Sequence, residues 1–242
     1  MRFLKAINLN KRYGQRQVVD SLSLEVRAGE AVGLLGPNGA GKTTAFSIII
    51  GLVGADSGQV WLEEEEITSL PAYLRARKGL SFLPQEPSVF RGLTVEENLK
   101  LVLEHQEGAG SRGGLKEAAG SLLEDFGLAS LARSRADRLS GGERRKLEIA
   151  RAMACRPAFL LLDEPFSELD PLAVADLQSI IRKLKERGIG ILLTDHRLRE
   201  ALGLLDRICI MNGGKIISEG RPDEVLEKKE VREIYLGPDF RL

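Results

Sequence analysis

One short stretch constrains this chain more than any other. Gly36-Pro37-Asn38-Gly39-Ala40-Gly41-Lys42-Thr43 fits the spacing G-x-x-x-x-G-K-[ST] at every position. An apolar run at 30–35 leads into it, and a segment with helical character at 42–50 leaves it. Glycines at a strand-to-helix junction let main-chain N–H groups turn inward around phosphate oxygens. The start of the helix adds partial positive charge at the same point. Such a loop suits a nucleoside triphosphate, with Lys42 reaching the β- and γ-phosphates and the Thr43 hydroxyl holding Mg²⁺. The spacing is not G-x-G-x-x-G, so a dinucleotide fits it poorly.

The rest of the chain supplies the frame for that loop. Strands are expected at 3–9 and 18–26, around a Tyr13-Gly14 turn, and at 58–62 and 79–83. Helical patterns follow at 94–106, 115–126 and 141–154. A glycine-rich stretch at 108–114 reads as a link within this helical part. The wholly apolar 159–163 reads as a central strand of a parallel sheet. A helix at 172–187 and a strand at 189–193 come next, and Asn212-Gly213-Gly214 joins two short strands as a hairpin. Alternating strands and helices give an α/β domain with a mostly parallel sheet, interrupted by a helical insertion at about 86–155.

Composition narrows the partners. Lys plus Arg and Asp plus Glu balance at 35 each, so no overall basic field points to nucleic acid or to an anionic membrane. The apolar runs at 48–53 and 158–162 are far shorter than the ~20 residues that span a bilayer, and no leader-like run follows Met1. If the chain serves transport, other chains carry the path. Cys155 and Cys209 lack C-x-x-C spacing and read as two thiols in a reducing cytoplasm.

Two further motifs carry chemistry. The strand 159–163 ends in Asp163-Glu164, where one carboxylate can hold Mg²⁺ and the next can orient or deprotonate an attacking water. An apolar strand ending in two acids is also an ordinary strand end, and its place downstream of the phosphate loop is what favours the catalytic reading. Leu139-Ser140-Gly141-Gly142-Glu143 opens the helix 141–154. Ser140 reads as a plain N-cap, and a capped, glycine-exposed helix start is also a phosphate site.

In order along the chain, these motifs resemble the ATP-binding subunits of ABC transporters, whose signature is usually written LSGGQ. The resemblance implies a P-loop NTPase, RecA-like core with a small antiparallel β-subdomain and an inserted helical subdomain, a single nucleotide-binding domain over 1–242 with a tail from about 221. It implies that ATP and Mg²⁺ are bound by Tyr13, Gly36, Pro37, Asn38, Gly39, Ala40, Gly41, Lys42, Thr43 and Thr44. It implies Mg²⁺ at Thr43, Gln85 and Asp163, Glu164 as general base, and Gln85 and His196 as sensors of the γ-phosphate. Ser140, Gly141, Gly142 and Glu143 would contact ATP bound to a second copy, in a homodimer with two composite sites. Ser167-Glu168-Leu169-Asp170 resembles the family's D-loop. Glu143 and Glu168 depart from the usual residues, and a Glu143 side chain directed away from the ligand leaves the assignment intact.

Closer likeness is to the ATPase subunits of lipopolysaccharide export transporters. It is carried by the Glu63–Glu66 run, Leu80–Glu86, Ser88-Val89-Phe90-Arg91, Thr194-Asp195-His196 and the tail 235–242. The glutamate run is also what a solvated turn looks like. The likeness implies two separate transmembrane permease subunits docking near Phe90 and Arg91, and a peripheral place on the cytoplasmic face of the inner membrane. Phe90 as insertion core and Arg91 as solvent-facing remains the competing reading. So do a branched-chain amino-acid importer and a soluble ABC ATPase such as an iron–sulfur assembly scaffold.

Overall fold

The computed structural model describes residues 2–105 and 112–236. The chain opens with a long antiparallel hairpin, β1 (Phe3–Tyr13) and β2 (Arg16–Arg27). β3 (Ala31–Leu35) then runs into the glycine loop and α1 (Lys42–Ile50). β4 (Ser57–Leu62) and the two-residue β5 (Glu65–Glu66) complete a four-stranded antiparallel sheet in the order β2-β1-β4-β5. α2 (Ala72–Arg77) leads to β6 (Leu80–Leu83). Then come the helices α3 (Val95–Glu104), α4 (Arg112–Asp125) and α5 (Gly141–Ala154). β7 (Phe159–Asp163), α6 (Pro171–Glu186), β8 (Gly190–Thr194) and α7 (Leu198–Leu202) follow. The hairpin of β9 (Arg207–Asn212) and β10 (Lys215–Gly220) and the short α8 (Pro222–Leu226) and α9 (Lys229–Val231) follow, and a π-helical turn over Arg232–Leu236 ends the described chain.

The second sheet has the order β10-β9-β3-β8-β7-β6, parallel except for β10. All five residues of β3, β7 and β8 are buried, so neither face meets water. Successive side chains point to opposite faces of a strand. Phe159 and Leu161 therefore join one core with Phe46 of α1 and Val60 of the antiparallel sheet. Leu160 and Leu162 join another core with Leu147 of α5 and Leu177 of α6. The parallel sheet is thus sandwiched between the antiparallel sheet with α1 on one side and the helices on the other.

Parallel topology sets the site. β3, β6, β7 and β8 all end on the same edge. Leu83 pairs with Leu162, and Asp163 with Thr194. The residues that follow, Gln85, Glu164 and His196, therefore leave neighbouring strand ends, where open α/β sheets bind ligands.

Three features differ in extent from the sequence expectation. The hairpin strands run further toward Gly14, β1 as far as Tyr13. α4 starts at Arg112, so Gly113 and Gly114 are helical, while the rest of the 108–114 link lies outside the described residues. Short helices α2, α7, α8 and α9 carry too few periodic apolar positions to stand out in the sequence. The tail 237–242 also lies outside the described residues. The Glu63–Glu66 run forms the β4–β5 turn, where Glu63 pairs with Arg2 and Glu65 with Lys78 at exposed positions.

Candidate active site

The glycine loop is shaped by steric contacts that only glycine avoids. A Cβ on Gly36 would lie 2.0 Å from the Met211 carbonyl oxygen, and one on Gly41 2.2 Å from that of Val18. Gly41 also adopts φ 106 at the helix N-cap and offers no capping side chain. The first N–H groups of α1 therefore have no side-chain partner at that cap, which is what a phosphate-binding end requires. Lys42 Nζ donates to the carbonyls of Gly36 (2.8 Å) and Pro37 (3.0 Å), bridging the loop. Burial lowers the Lys42 pKa, opposed by the nearby charges of Glu164 and Asp163. Ala40 is buried and its carbonyl accepts from Gly214 N–H at 3.0 Å, tying the loop to the β9–β10 turn.

Tyr13, Asn38, Gly39, Gly41, Lys42, Thr43, Thr44 and Glu164 line one hollow of about 310 Å³, together with Arg16 and Val18. Half-exposed Tyr13 is available at its rim.

The carboxylates at the end of β7 have different surroundings. Asp163 is 4% exposed, and burial, reinforced by the charge of Glu164, pushes its pKa up to about 6. Glu164 sits in a left-handed conformation, φ 46, uncommon for glutamate. Its N–H donates to Thr194 O at 2.8 Å, which holds the turn against β8. Its Oε2 accepts from Gln85 Nε2 at 2.9 Å and lies 3.1 Å from His196 Nδ1. Three candidates from three strand ends thus meet at one oxygen. With Glu164 ionised, His196 Nδ1 is the protonated ring nitrogen.

The residues fit Mg²⁺. Thr43 hydroxyl, Gln85 amide and Asp163 carboxylate are hard oxygen donors, and Asp163 is a buried carboxylate whose charge a cation would compensate. No group of three His, Cys, Asp or Glu among the described residues could hold a metal unaided.

Two residues have supporting roles that the sequence did not assign to them. Arg145, 6% exposed on α5, donates to the carbonyls of Pro84, Asp163, Glu164 and Pro165 and to Glu148 Oε2. It ties the segment before Gln85 to the turn that presents Glu164. Glu148 in turn accepts from Ser88 N–H at 2.6 Å. In sequence, Arg145 is hidden in the basic run Arg144-Arg145-Lys146. The one available signal is its i,i+3 spacing to Glu148 on the apolar face with Leu147. The second is Asp195, fully buried, which accepts from Phe166 N–H and Arg197 N–H and so joins the Glu164 turn to the His196 loop.

Ser140–Glu143 lies apart from the phosphate hollow. Gly141 shares a separate cleft of about 250 Å³ with Gln85, Arg144 and Ser167–Leu169. Ser140 caps α5, accepting from Glu143 N–H at 3.3 Å. Glu143 Oε2 accepts from Ser140 N–H and Ser140 Oγ, both at 2.8 Å. Its side chain does not point away but folds back over the cap, and those two bonds lower its pKa. Asp170 caps α6 through Leu172 and Ala173 N–H groups.

Phe90 is 43% exposed, neither core nor free, with its ring 4.5 Å from the Arg151 guanidinium. Buried Asn98 holds its main chain at both N–H and C=O. Arg91 is exposed. Beside them runs a groove of about 340 Å³, lined by the end of α1, by α2 and by Val102 and Arg151. Phe90 flanks this groove through Arg151; Gln85 and Arg91 are not in its lining.

Comparison with known proteins gives a consistent picture. The model of the ABC transporter family matches residues 19–167. The chain is 53% identical over 239 residues to a probable ABC transporter ATP-binding protein of Azorhizobium caulinodans, covering 99% of this chain and 84% of that one. It is 47% identical over 242 residues to the lipopolysaccharide export system ATP-binding protein LptB of Haemophilus influenzae, covering all of both. Among solved structures it is similar to the ADP conformation of an ATP-binding cassette of an ABC transporter (TM-score 0.87, 31% identity, 98% of this chain and 99% of that one). It is also similar to a dimeric cassette in a post-hydrolysis state bound to ADP and phosphate (TM-score 0.80, 26% identity, 90% and 98%).

Proposed function

This chain belongs to the ABC transporter family as an ATP-hydrolysing motor subunit, and from that premise we propose that it powers the export of lipopolysaccharide. The observation that carries the substrate is the end-to-end match to lipopolysaccharide export ATPases, at 46–47% identity over all 242 residues of both chains.

The site supports a direct mechanism. ATP lies in the hollow with its phosphates on the loop N–H groups and Lys42, and adenine on Tyr13. Thr43, Asp163 and Gln85 would hold Mg²⁺, which would supply positive charge to stabilise the transferring phosphoryl group. A water oxygen attacks the γ-phosphorus, the bond to the β,γ-bridging oxygen breaks, and the water's proton passes to Glu164. Gln85 and His196 restrain the Glu164 carboxylate, as their shared bonding to Oε2 supports. ADP and phosphate leave.

Two copies arranged head-to-tail with two-fold symmetry complete the sites, Ser140–Glu143 of each facing the γ-phosphate on the other. The similarity to a dimeric cassette supports this. No helix among the described residues is long and apolar enough to cross a membrane. The work therefore passes to separate membrane subunits, a short helix of each seated in the groove beside Phe90 and Arg91, with the ATPase peripheral on the cytoplasmic face of the inner membrane. Leu52 and Tyr73, 60% and 64% exposed on the groove, offer the apolar contact.

The test is isolation of the tagged chain from membranes, identification of the bound subunits, and reconstitution of that complex in vesicles loaded with lipopolysaccharide. ATP-dependent release supports the reading. Membrane subunits of an amino-acid importer, or a complex that hydrolyses ATP without releasing lipopolysaccharide, would sink it.

A further inference from the structure

Arg75 is 2% exposed and lies on α2, away from every motif of the nucleotide site. Its Nη1 donates to the carbonyls of Ile48 (2.8 Å) and Ile49 (2.6 Å), at the end of α1. Its Nε donates to Leu70 O (2.8 Å) and its Nη2 to Thr68 O (2.7 Å). Four hydrogen bonds thus join three segments, each ending on a main-chain carbonyl. Burial lowers its pKa to about 10, still well above neutrality, so the group is a cation set against the negative end of α1. Gly51 leaves room for it: a Cβ there would lie 2.7 Å from Arg75 Nε and 2.8 Å from Leu70 O. Lysine, a single-point donor, cannot span these acceptors as the planar guanidinium does.

The two elements Arg75 joins have separate roles. α1 begins at Lys42 and Thr43 of the phosphate loop and ends at Ile50, which lines the groove together with Leu52 two residues on. α2 presents Tyr73 and Ala76 to the same groove. A helix of this length is a stiff rod of about 13 Å. A segment pressed into the groove therefore bears on α2 and, through Arg75, on the far end of the rod that carries Lys42.

We propose that Arg75 couples the docking groove to the ATP site, fastening the groove wall to the phosphate-loop helix so that a docked membrane-subunit helix acts on Lys42 and Thr43 through α1. This rests on the docking reading given above. A separate chain of hydrogen bonds, from Ser88 N–H through Glu148 and Arg145 to the Glu164 carbonyl, also links the groove lining to the turn that presents Glu164.

The experiment uses the full chain with its co-purified membrane subunits. Arg75→Met, Arg75→Lys and wild type are compared for thermal unfolding, for kcat and KM of the free chain, for capture by the subunits, and for ATPase stimulation in the complex. Arg75→Met is expected to unfold at lower temperature and still be captured, with kcat and KM of the free chain within about threefold of wild type. Its stimulation in the complex should fall by about tenfold or more, with Arg75→Lys in between. Equal losses in free and complexed protein, or undiminished stimulation, overturn the proposal and leave Arg75 a helix cap. If Arg75→Met does not fold, Arg75→Lys decides: a stimulation ratio equal to wild type overturns the proposal, and a reduced ratio with normal free activity supports it. A wild-type chain that is neither captured nor stimulated overturns the docking reading itself, whereas stimulation that survives in Arg75→Met overturns only the coupling.

Discussion

Two helices of this molecule begin with glycines, and they begin in opposite ways. α1 starts at Gly41 with no side-chain cap, and the nearest cation, Lys42, is occupied with the carbonyls of its own loop. α5 starts at Ser140 with a complete capping box, in which Ser140 N–H and Oγ donate to the Glu143 carboxylate and Glu143 N–H donates to Ser140 Oγ. The first end is preorganised and open. The second has its Ser140 hydroxyl and Glu143 N–H engaged by its own chain, so in the proposed dimer a phosphate on the other copy would compete with a carboxylate for the Ser140 hydroxyl. The contrast teaches that a glycine-flanked helix start can be left open by its own chain or closed by a capping box, and on the proposed function only the closed one needs a partner to bring the ligand.

The largest test of the open end removes the group that uses what it holds. Glu164→Gln should keep ATP binding and slow hydrolysis by about 10²–10⁴-fold, measured as single-turnover phosphate release. Near-normal turnover would remove Glu164 from proton transfer. Lys42→Ala should weaken ATP binding by roughly 10–150-fold, the loss of a charge-assisted contact of about 1.5–3 kcal/mol. An unchanged nucleotide titration would mean that Lys42 only braces its loop.

The closed end is tested next. In Glu164→Gln protein, Mg²⁺-ATP should convert monomer to dimer in sedimentation, and Gly141→Asp should weaken that dimer by about tenfold or more through added like charge. Gly141 is the better position. A Cβ there meets Leu169 at an ordinary 3.5 Å, whereas one on Gly142 would lie 2.7 Å from Ala173 and disturb the packing of α5 on α6. A dimer indifferent to Gly141→Asp would place the signature helix away from the interface. The smallest effect belongs to the cap. Ser140→Ala should cost about 0.5–2 kcal/mol in unfolding of the free chain. The two bonds from Ser140 depress the Glu143 pKa, so their contribution is present above its unfolded value of about 4.3 and lost as pH falls through the folded value. Glu143→Gln should flatten that acid limb of the stability–pH curve, and an unchanged limb would show that the carboxylate plays no part in it.

How legible all this was depends on where the information resides. Lys42, Asp163 and Glu164 stand beside apolar runs that declare themselves as strands, so local pattern and chemistry agree. The convergence of Gln85 and His196 on Glu164 follows from β6, β7 and β8 being neighbours in the sheet, and pairing between distant segments leaves no mark in a single sequence. Arg145 and Arg75 are harder still. Each looks like a surface arginine in a basic stretch, and each is buried among partners that are mostly main-chain carbonyls, whose positions no residue type announces. Glu143 was visible as a departure from the usual glutamine, but its part in a capping box with Ser140, which turns its side chain back over the helix start, was not.

The order of strands in the parallel sheet has one more consequence, for how the protein is made. β3, which delivers the phosphate loop, lies between β8 and β9, with Ala31 paired to Ile191 and Leu35 to Ile210. Closing such distant pairs must await chain that is synthesised long after the loop itself. During translation the apolar faces of β3 and α1 are therefore exposed through most of the growing polypeptide, with only the β1–β2 hairpin and β4 to cover one of them. A chain that stops before β8 holds every residue of the phosphate loop and lacks both strands that flank it in the sheet. Premature termination in this protein should yield aggregates cleared by chaperones and proteases, not a truncated ATPase.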